Sequence, residues 1–182
     1  ALWVARNTRF TPKGTFKGIE REGLAAAYRA HSVSRCVILA SRLVHYSLRK
    51  AAGILGIGND NVIPVDTDCD HRLDIDAFQQ TIEGIKNKSP DTCILAAVGI
   101  AGATETGTVD PLNRMARVCR RHGIHFHVDA AWGGPTLLSE KYRQLLKGIE
   151  LSDSVTIDGH KQFYMPMSCG MVYFRDPTIL DG

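Results

Sequence analysis

Three side chains of types that can do chemistry follow short apolar stretches of the sequence. Asp129 comes directly after an apolar run, Lys161 ends the tetrapeptide DGHK, and His45 follows Leu43-Val44. A lysine amine can attack a carbonyl carbon and form a carbon–nitrogen double bond, and a carboxylate can hold the proton on a nitrogen heterocycle. A histidine can stack on a ring or carry a proton near neutral pH. The set indicates covalent chemistry on a bound planar heterocycle.

The chain around these residues alternates between strand-like and helix-like patterns. Short apolar runs predict strands at 36–40, 62–65, 93–98, 124–128, 154–158 and 170–174. A helix-like segment opens the chain, and further helices are predicted at 20–30, 46–55, 74–86, 111–122 and 140–148. This alternation is typical of an α/β fold in which helices sandwich a mostly parallel sheet.

The candidate residues lie where strands of that sheet end. His45 is in the loop after the strand at 36–40, and GIAGATETGTVD at 99–110 follows the strand at 93–98. Asp129 and Lys161 follow the strands at 124–128 and 154–158. Because ligands bind beyond the carboxyl ends of strands in such sheets, we expect these groups to meet at one edge.

The helix at 111–122 has the clearest boundaries. Apolar residues recur at i, i+3, i+4 and i+7, beginning with Leu112. Asp110 is a candidate N-cap, Pro111 suits the first turn, and Gly123 is expected to end the helix.

Pyridoxal phosphate is a cofactor that requires such a set of residues. A lysine must bind it as a Schiff base, and a carboxylate must face the pyridine nitrogen so that the ring can accept electrons. A flat partner should cover one ring face, and small residues should let the backbone approach. Lys161, Asp129, His45 and the glycine-rich stretch 99–110 meet these needs.

Two stretches also carry a resemblance to a known family. HVDAAWGG at 127–134 and SDSVTIDGHKQFYMPMSCG at 152–170 resemble the group II amino-acid decarboxylases of fold type I, such as glutamate, aspartate and cysteine sulfinate decarboxylases. The resemblance implies α-decarboxylation of an L-amino acid. It implies that Lys161 is the Schiff-base lysine and that Asp129 pairs with the pyridine nitrogen.

The same resemblance implies roles for five further positions. Ala131 would pack on one face of the cofactor ring, and His45 would stack on the other and help to move a proton. Thr104 would lie near the ring on the substrate side. His160 and Asp158 would contact the cofactor phosphate.

The resemblance covers nearly the whole chain and implies how it fits into a larger enzyme. Residues 1–182 would be the central part of the cofactor-binding large domain. The phosphate-binding turn is expected before Ala1, and the small C-terminal domain after Gly182. Enzymes of fold type I are typically homodimers, so a homodimer is expected for the full-length protein.

Several alternatives stay open at this point. The sequence around 127–156 is more similar to the glutamate, aspartate and cysteine sulfinate branch than to the aromatic branch, so we expect an acidic substrate. A lyase or aminotransferase that uses the same cofactor is one alternative. A fragment that serves only as a folding or dimerisation core is another.

Composition and charge limit which partners, which cell compartment and which metal sites are expected. The net charge is +3, the chain has no basic run and no apolar run of membrane-spanning length, so we expect neither a nucleic-acid nor a membrane partner. The five cysteines form no CxxC pair and are expected to be reduced, as in a cytoplasmic protein. His125 and His127 share one strand face, but no third ligand is evident nearby, so no metal site is expected.

Overall fold

The computed structural model describes residues 1–180 and shows five α-helices around one sheet within that range. The helices are α1 Leu2–Arg9, α2 Ile19–His31, α3 Ser47–Ile54, α4 Ile75–Lys88 and α5 Leu112–His122. The strands are β1 Arg35–Ser41, β2 Val62–Val65, β3 Thr92–Ile100, β4 His125–Asp129, β5 Ser154–Asp158 and β6 Gly170–Phe174. Short 3-10 helices lie at Asn59–Asn61 and Pro177–Leu180, and three more follow β4.

The six strands form one sheet in the order β2-β1-β3-β4-β5-β6. Strands β1 to β5 are parallel, and β6 runs antiparallel to β5 at the edge. Asp129, at the end of β4, is in register with Ile100 of β3 and Thr156 of β5. The predicted α/β fold is therefore confirmed, and the ends of β3, β4 and β5 meet at one edge.

Helices cover the sheet on both faces because its central strands are apolar on both. Along β1, Val37 and Leu39 pack in a core with α4 and α5, whereas Ile38 and Ala40 pack in a second core with α1, α2 and α3. In β3 every residue after Thr92 is buried. A strand that is buried on both faces reads as a continuous apolar run, which is the pattern that predicted it.

The boundaries of α5 agree with the sequence at one end only. Gly123 ends the helix in the left-handed conformation, with φ of 64°. The prediction that Asp110 caps the helix is wrong. Its side chain instead accepts hydrogen bonds from the backbone N–H groups of Leu73 and Ile100, both at 2.8 Å. Asp110 thus ties the loop before α4 to the end of β3.

The predicted helix at 140–148 is also wrong. The segment between β4 and β5 contains three 3-10 helices instead, at Gly134–Leu138, Arg143–Leu146 and Ile149–Leu151. Within 140–148 the apolar side chains do not form one buried face, because Leu146 is buried but Tyr142 and Leu145 are exposed. Gly148, with φ of 104°, then turns the chain against the first turn of α5.

The helices described in residues 1–180 are too short, or too polar, to cross a lipid bilayer.

Candidate active site

An open cleft of about 550 Å3 lies at the carboxyl ends of β1, β3, β4 and β5. Six of the seven predicted site residues line it: His45, Thr104, Asp129, Ala131, Asp158 and Lys161. The start of α1 and one side of α3 form the rest of its wall. The structure therefore brings together, from four different loops, most of the residues that the sequence singled out.

Asp129 is held by its strand and by the turn that follows. Its Oδ1 accepts a hydrogen bond from the backbone N–H of Ala131 at 3.1 Å, so the carboxylate stays beside the turn. Gly133 donates its N–H to the carbonyl of Ala101 at 2.9 Å. A Cβ on Gly133 would lie 2.3 Å from that carbonyl oxygen, so only glycine lets this turn pass against the loop after β3.

Lys161 lies in the turn that follows β5, three residues after Asp158. Its Nζ forms an ion pair with Oδ2 of Asp158 at 2.9 Å, and the lysine side chain is one-third exposed. The backbone N–H of Lys161 also donates to the backbone carbonyl of Asp158 at 3.2 Å, and this bond closes the turn. Asp158 therefore positions the amine from both its backbone and its side chain.

His160 lies between Asp158 and the start of β6. Its Nδ1 lies 2.8 Å from the carbonyl oxygen of Cys169, and its Nε2 is 3.8 Å from Oδ2 of Asp158. Within the described part of the chain it is the one predicted site residue that does not line the cleft. Its contact with Cys169 joins the turn after β5 to the start of β6.

His45 and Thr104 both line the cleft, from the loops after β1 and β3. Nδ1 of His45 is 2.8 Å from the hydroxyl of Ser47 and accepts the backbone N–H of Ser47 at 3.4 Å. Its ring packs against that of Tyr46 with the centroids 4.3 Å apart. Thr104 is exposed, and Ala131, in the turn after β4, is half-buried.

Sequence reasoning missed His127 and Thr156 as site residues, although both line the cleft. His127 is 6% exposed, with Nδ1 2.9 Å from the Ser154 hydroxyl and Nε2 3.3 Å from that of Thr156. Burial lowers the pKa of His127 to about 3, so its imidazole is neutral. A signal was available: His127 lies two positions before Asp129, and alternate strand residues share a face.

The chemistry of the lining residues fits pyridoxal phosphate. One carboxylate, Asp129, and one primary amine, Lys161, face the same cleft from neighbouring strand ends. Gly102, with φ of 97°, lets the loop after β3 pack closely against the turn after β4, because a Cβ there would lie 3.1 Å from the backbone nitrogen of Gly133. The flat side chains of His45 and Trp132 and the small Ala103 and Ala131 complete the lining that a planar ring requires.

Comparisons with known proteins agree with this geometry. Residues 16–182 match the pyridoxal-dependent decarboxylase conserved domain. An aspartate 1-decarboxylase of Aliivibrio fischeri is 53% identical over 182 residues, which are 100% of this chain and 33% of that protein. An L-2,4-diaminobutyrate decarboxylase of Acinetobacter baumannii is 32% identical over 95% of this chain and 32% of that protein.

A solved structure shows the same fold. The crystal structure of the glutamate decarboxylase domain of diaminobutyrate-pyruvate transaminase and L-2,4-diaminobutyrate decarboxylase from Vibrio parahaemolyticus superposes with a TM-score of 0.88 at 30% identity. The match covers 99% of this chain and 37% of that one. The chain thus spans about a third of the length of the relatives that it matches. By its matched domain, its fold and its cleft, it belongs to the family of pyridoxal-dependent decarboxylases.

Proposed function

We propose that this chain forms the core of an enzyme that removes the α-carboxylate of an L-amino acid with pyridoxal phosphate. The observation that carries the proposal is that Asp129 and Lys161, from the ends of neighbouring strands, line one cleft. Membership in the family supports the reaction class, and the names of the relatives support decarboxylation over other uses of the cofactor.

The proposed roles follow the position of each side chain. Lys161 would hold the cofactor covalently, and Asp129 would pair with its ring nitrogen. Ala131 and His45 would bound the two ring faces, with Thr104 on the substrate side. Asp158 would contact the phosphate, with His160 supporting it from the side of Cys169. When bound, the cofactor supplies an electron-accepting ring, which lowers the barrier to breaking the bond to the carboxylate.

Asp158 also fixes where the amine of Lys161 lies. Its Oδ2 is 2.9 Å from Nζ. We propose that this contact orients the amine towards the bound cofactor.

His45 is positioned to carry a proton on the substrate side. The backbone N–H of Ser47 donates to Nδ1, so a neutral His45 carries its proton on Nε2. We propose that Nε2 is the atom that delivers a proton to the substrate carbon after the carboxylate has left. Replacing His45 with Gln should lower kcat more than it raises KM, because binding contacts remain while proton transfer is lost.

We propose an acidic substrate, aspartate or glutamate. The aspartate 1-decarboxylase is 53% identical to this chain and the diaminobutyrate decarboxylase 32%. No arginine lines the cleft within residues 1–180, so another part of the full-length enzyme, or a second subunit, would supply the cation for an acidic side chain. Release of CO2 from aspartate, glutamate and 2,4-diaminobutyrate by the purified protein would rank the three substrates.

Covalent trapping tests the cofactor assignment directly. The purified protein is incubated with pyridoxal phosphate, reduced with borohydride, digested and mapped by mass spectrometry. We expect the label on Lys161, and Lys161→Ala should abolish both the label and the absorbance band of the bound cofactor. Lys147→Ala is the matched control, because Lys147 is exposed and outside the cleft lining. A label that persists in Lys161→Ala would refute the assignment.

Two alternatives are separated by the products. Transamination by the same cofactor would yield a keto acid and no CO2. A chain that takes up the cofactor on Lys161 but turns over no amino acid would act as a folding or dimerisation core. This alternative is tested because the chain spans only about a third of the length of its relatives.

We also propose that the full-length protein is a homodimer in the cytoplasm. Several apolar side chains near the cleft and along β6 are exposed, among them Tyr164, Met167, Val172 and Tyr173. Where exposed apolar groups form one contiguous patch, they mark a surface that a second subunit or the rest of the full-length chain covers. All five cysteines are free thiols, which suits a reducing compartment.

A further inference from the structure

A hydrogen-bonded chain of four side chains lies beneath the cleft and joins β4 to β5. Nε2 of His125 is 2.8 Å from the Ser154 hydroxyl, which is 2.9 Å from Nδ1 of His127. Nε2 of His127 is in turn 3.3 Å from the hydroxyl of Thr156. His127 and Ser154 are buried, so their hydrogen bonds must be made within the protein.

The protons of this chain can be arranged in two orders. Ser154 has one hydroxyl proton and two imidazole neighbours, so it donates to one and accepts from the other. If Ser154 donates to His127, then Nε2–H of His127 donates to Thr156, whose own proton is left for another acceptor. In the reverse order Thr156 donates to His127. Both orders satisfy both imidazoles in their neutral forms.

Asp129 is the neighbour that can select between the two orders. Thr156 is in register with Asp129 on the adjacent strand, and both line the cleft. Neighbouring strands lie about 4.8 Å apart, so the two side chains are next to each other on the cleft face. An ionised carboxylate can only accept hydrogen bonds. Within the described residues no hydrogen bond joins the two side chains, so the carboxylate acts through its charge, which favours the order in which the Thr156 proton is turned towards it.

We propose that His127 is a positioning residue for Asp129 and acts on it through Thr156. The neutral imidazole fixes the Thr156 hydroxyl beside the carboxylate, and it leaves Asp129 as the charge that β4 presents to the cleft. The inference deepens the proposed function, on which it rests, because Asp129 is there the partner of the cofactor's ring nitrogen. It assigns a positioning role to a histidine that lies two positions before Asp129 on the same strand face.

The test compares four variants in cofactor binding. His127→Leu removes the link, His127→Gln keeps a neutral polar group near Nε2, and Thr156→Val removes the hydroxyl. His125→Leu is the matched control, because His125 bonds the same Ser154 but does not line the cleft. Three quantities are measured for each: the dissociation constant for pyridoxal phosphate, the pH dependence of the bound cofactor's absorbance, and the Tm without cofactor.

We expect His127→Leu and Thr156→Val to weaken cofactor binding about tenfold, by analogy with the loss on removing a group that orients a metal ligand through a hydrogen bond. Both should also shift the pH dependence of the absorbance. His127→Gln should recover most of the affinity, and His125→Leu should stay within about twofold of wild type. Both His127→Leu and His125→Leu should lower the Tm, because both remove a hydrogen bond to Ser154. If only His127→Leu also weakens cofactor binding, the effect on binding comes from positioning Asp129 and not from a loss of folding stability.

Each contrary outcome has a definite meaning. Affinity and absorbance that are the same in His127→Leu and His125→Leu would overturn the inference. If His127→Leu does not fold, Thr156→Val carries the test, and wild-type binding by that variant would overturn the inference. A wild-type protein that takes up no cofactor would instead overturn the proposed function and, with it, this inference.

Discussion

At the residue scale, burial acts on two titratable side chains in opposite directions. It lowers the pKa of His127 to about 3, with a smaller contribution from His125. It raises the pKa of Asp110 to about 6, although backbone N–H groups of Leu73 and Ile100 donate to the carboxylate. In both cases removal from water disfavours the charged form.

The first consequence is a loss of stability in acid that can be assigned to His127. An unfolded histidine titrates near pH 6.5, so between pH 6.5 and 3 the unfolded chain binds a proton that the folded chain does not. From pH 7 to pH 5 the free energy of unfolding of wild type should fall by about 2 kcal/mol more than that of His127→Gln. Urea unfolding at both pH values measures this, and equal losses in the two proteins would contradict the assignment.

A second prediction concerns the buried carboxylate of Asp110. Asp110→Ala leaves the N–H groups of Leu73 and Ile100 without their acceptor, and should cost about 2–4 kcal/mol. Because its folded pKa is raised, the contribution of Asp110 should grow as the pH falls from about 6 towards 4. Asp70→Ala serves as the control, since Asp70 is exposed and should change stability by under about 1 kcal/mol. Equal effects of the two substitutions, in denaturant unfolding, would refute the structural role of Asp110.

At the scale of elements, the segment between β4 and β5 shows what a periodic pattern can miss. Residues 140–148 contain apolar side chains at helical spacing, yet Leu146 is buried while Tyr142 and Leu145 are exposed. A short helix is marginal without an apolar face to bury. The segment instead follows the surface as 3-10 turns, and its course is fixed where Gly148 contacts α5.

Gly148 and Gly84 should therefore respond in opposite ways to alanine. A Cβ on Gly148 would lie 2.3 Å from the backbone nitrogen of Asn113, and its φ of 104° disfavours any other residue. We expect Gly148→Ala to cost about 2 kcal/mol or more. Gly84, inside α4, has open space at its Cβ position, so Gly84→Ala should stabilise by about 0.5–1 kcal/mol. Thermal unfolding of the two variants measures both changes in stability. If Gly148→Ala leaves the stability unchanged, the backbone near Asn113 can shift to make room for the added Cβ.

At the scale of the whole molecule, the parallel sheet explains why one cleft collects residues from distant parts of the chain. Each strand from β1 to β5 is followed by a loop at the same edge. Residues as far apart in sequence as His45 and Lys161 therefore line a single site. The antiparallel β6 is the edge strand next to β5, and Cys169, just before β6, contacts His160 through its carbonyl oxygen.

The proposed homodimer gives a prediction at this scale. Light scattering of the purified protein should give twice the mass of one chain. Replacing Tyr164 and Met167, which are 92% and 83% exposed, with Asp should shift the protein to monomer without lowering the Tm, because these side chains contact little within one chain. Lys13→Asp, in the loop between α1 and α2, is the control. A wild-type protein that is monomeric at micromolar concentration would refute the dimer.

The sequence by itself determined the fold class and where the reactive residues meet. Apolar runs located all six strands to within a residue or two, and the parallel arrangement followed from their alternation with helices. Asp129 and Lys161 could be placed in one cleft because one lies at the end of a strand and the other in the turn after the next strand, and parallel strands end at the same edge. These features depend on local periodicity and on a general rule of topology.

The tertiary structure alone decided which side chains touch. His127 bonds Ser154 across 27 positions of sequence, and Asp110 bonds Leu73 across 37. Whether such groups meet depends on the register of neighbouring strands, which no local pattern fixes. The contact of His160 with Cys169 likewise depends on how the turn after β5 meets the start of β6, which the sequence around His160 does not reveal.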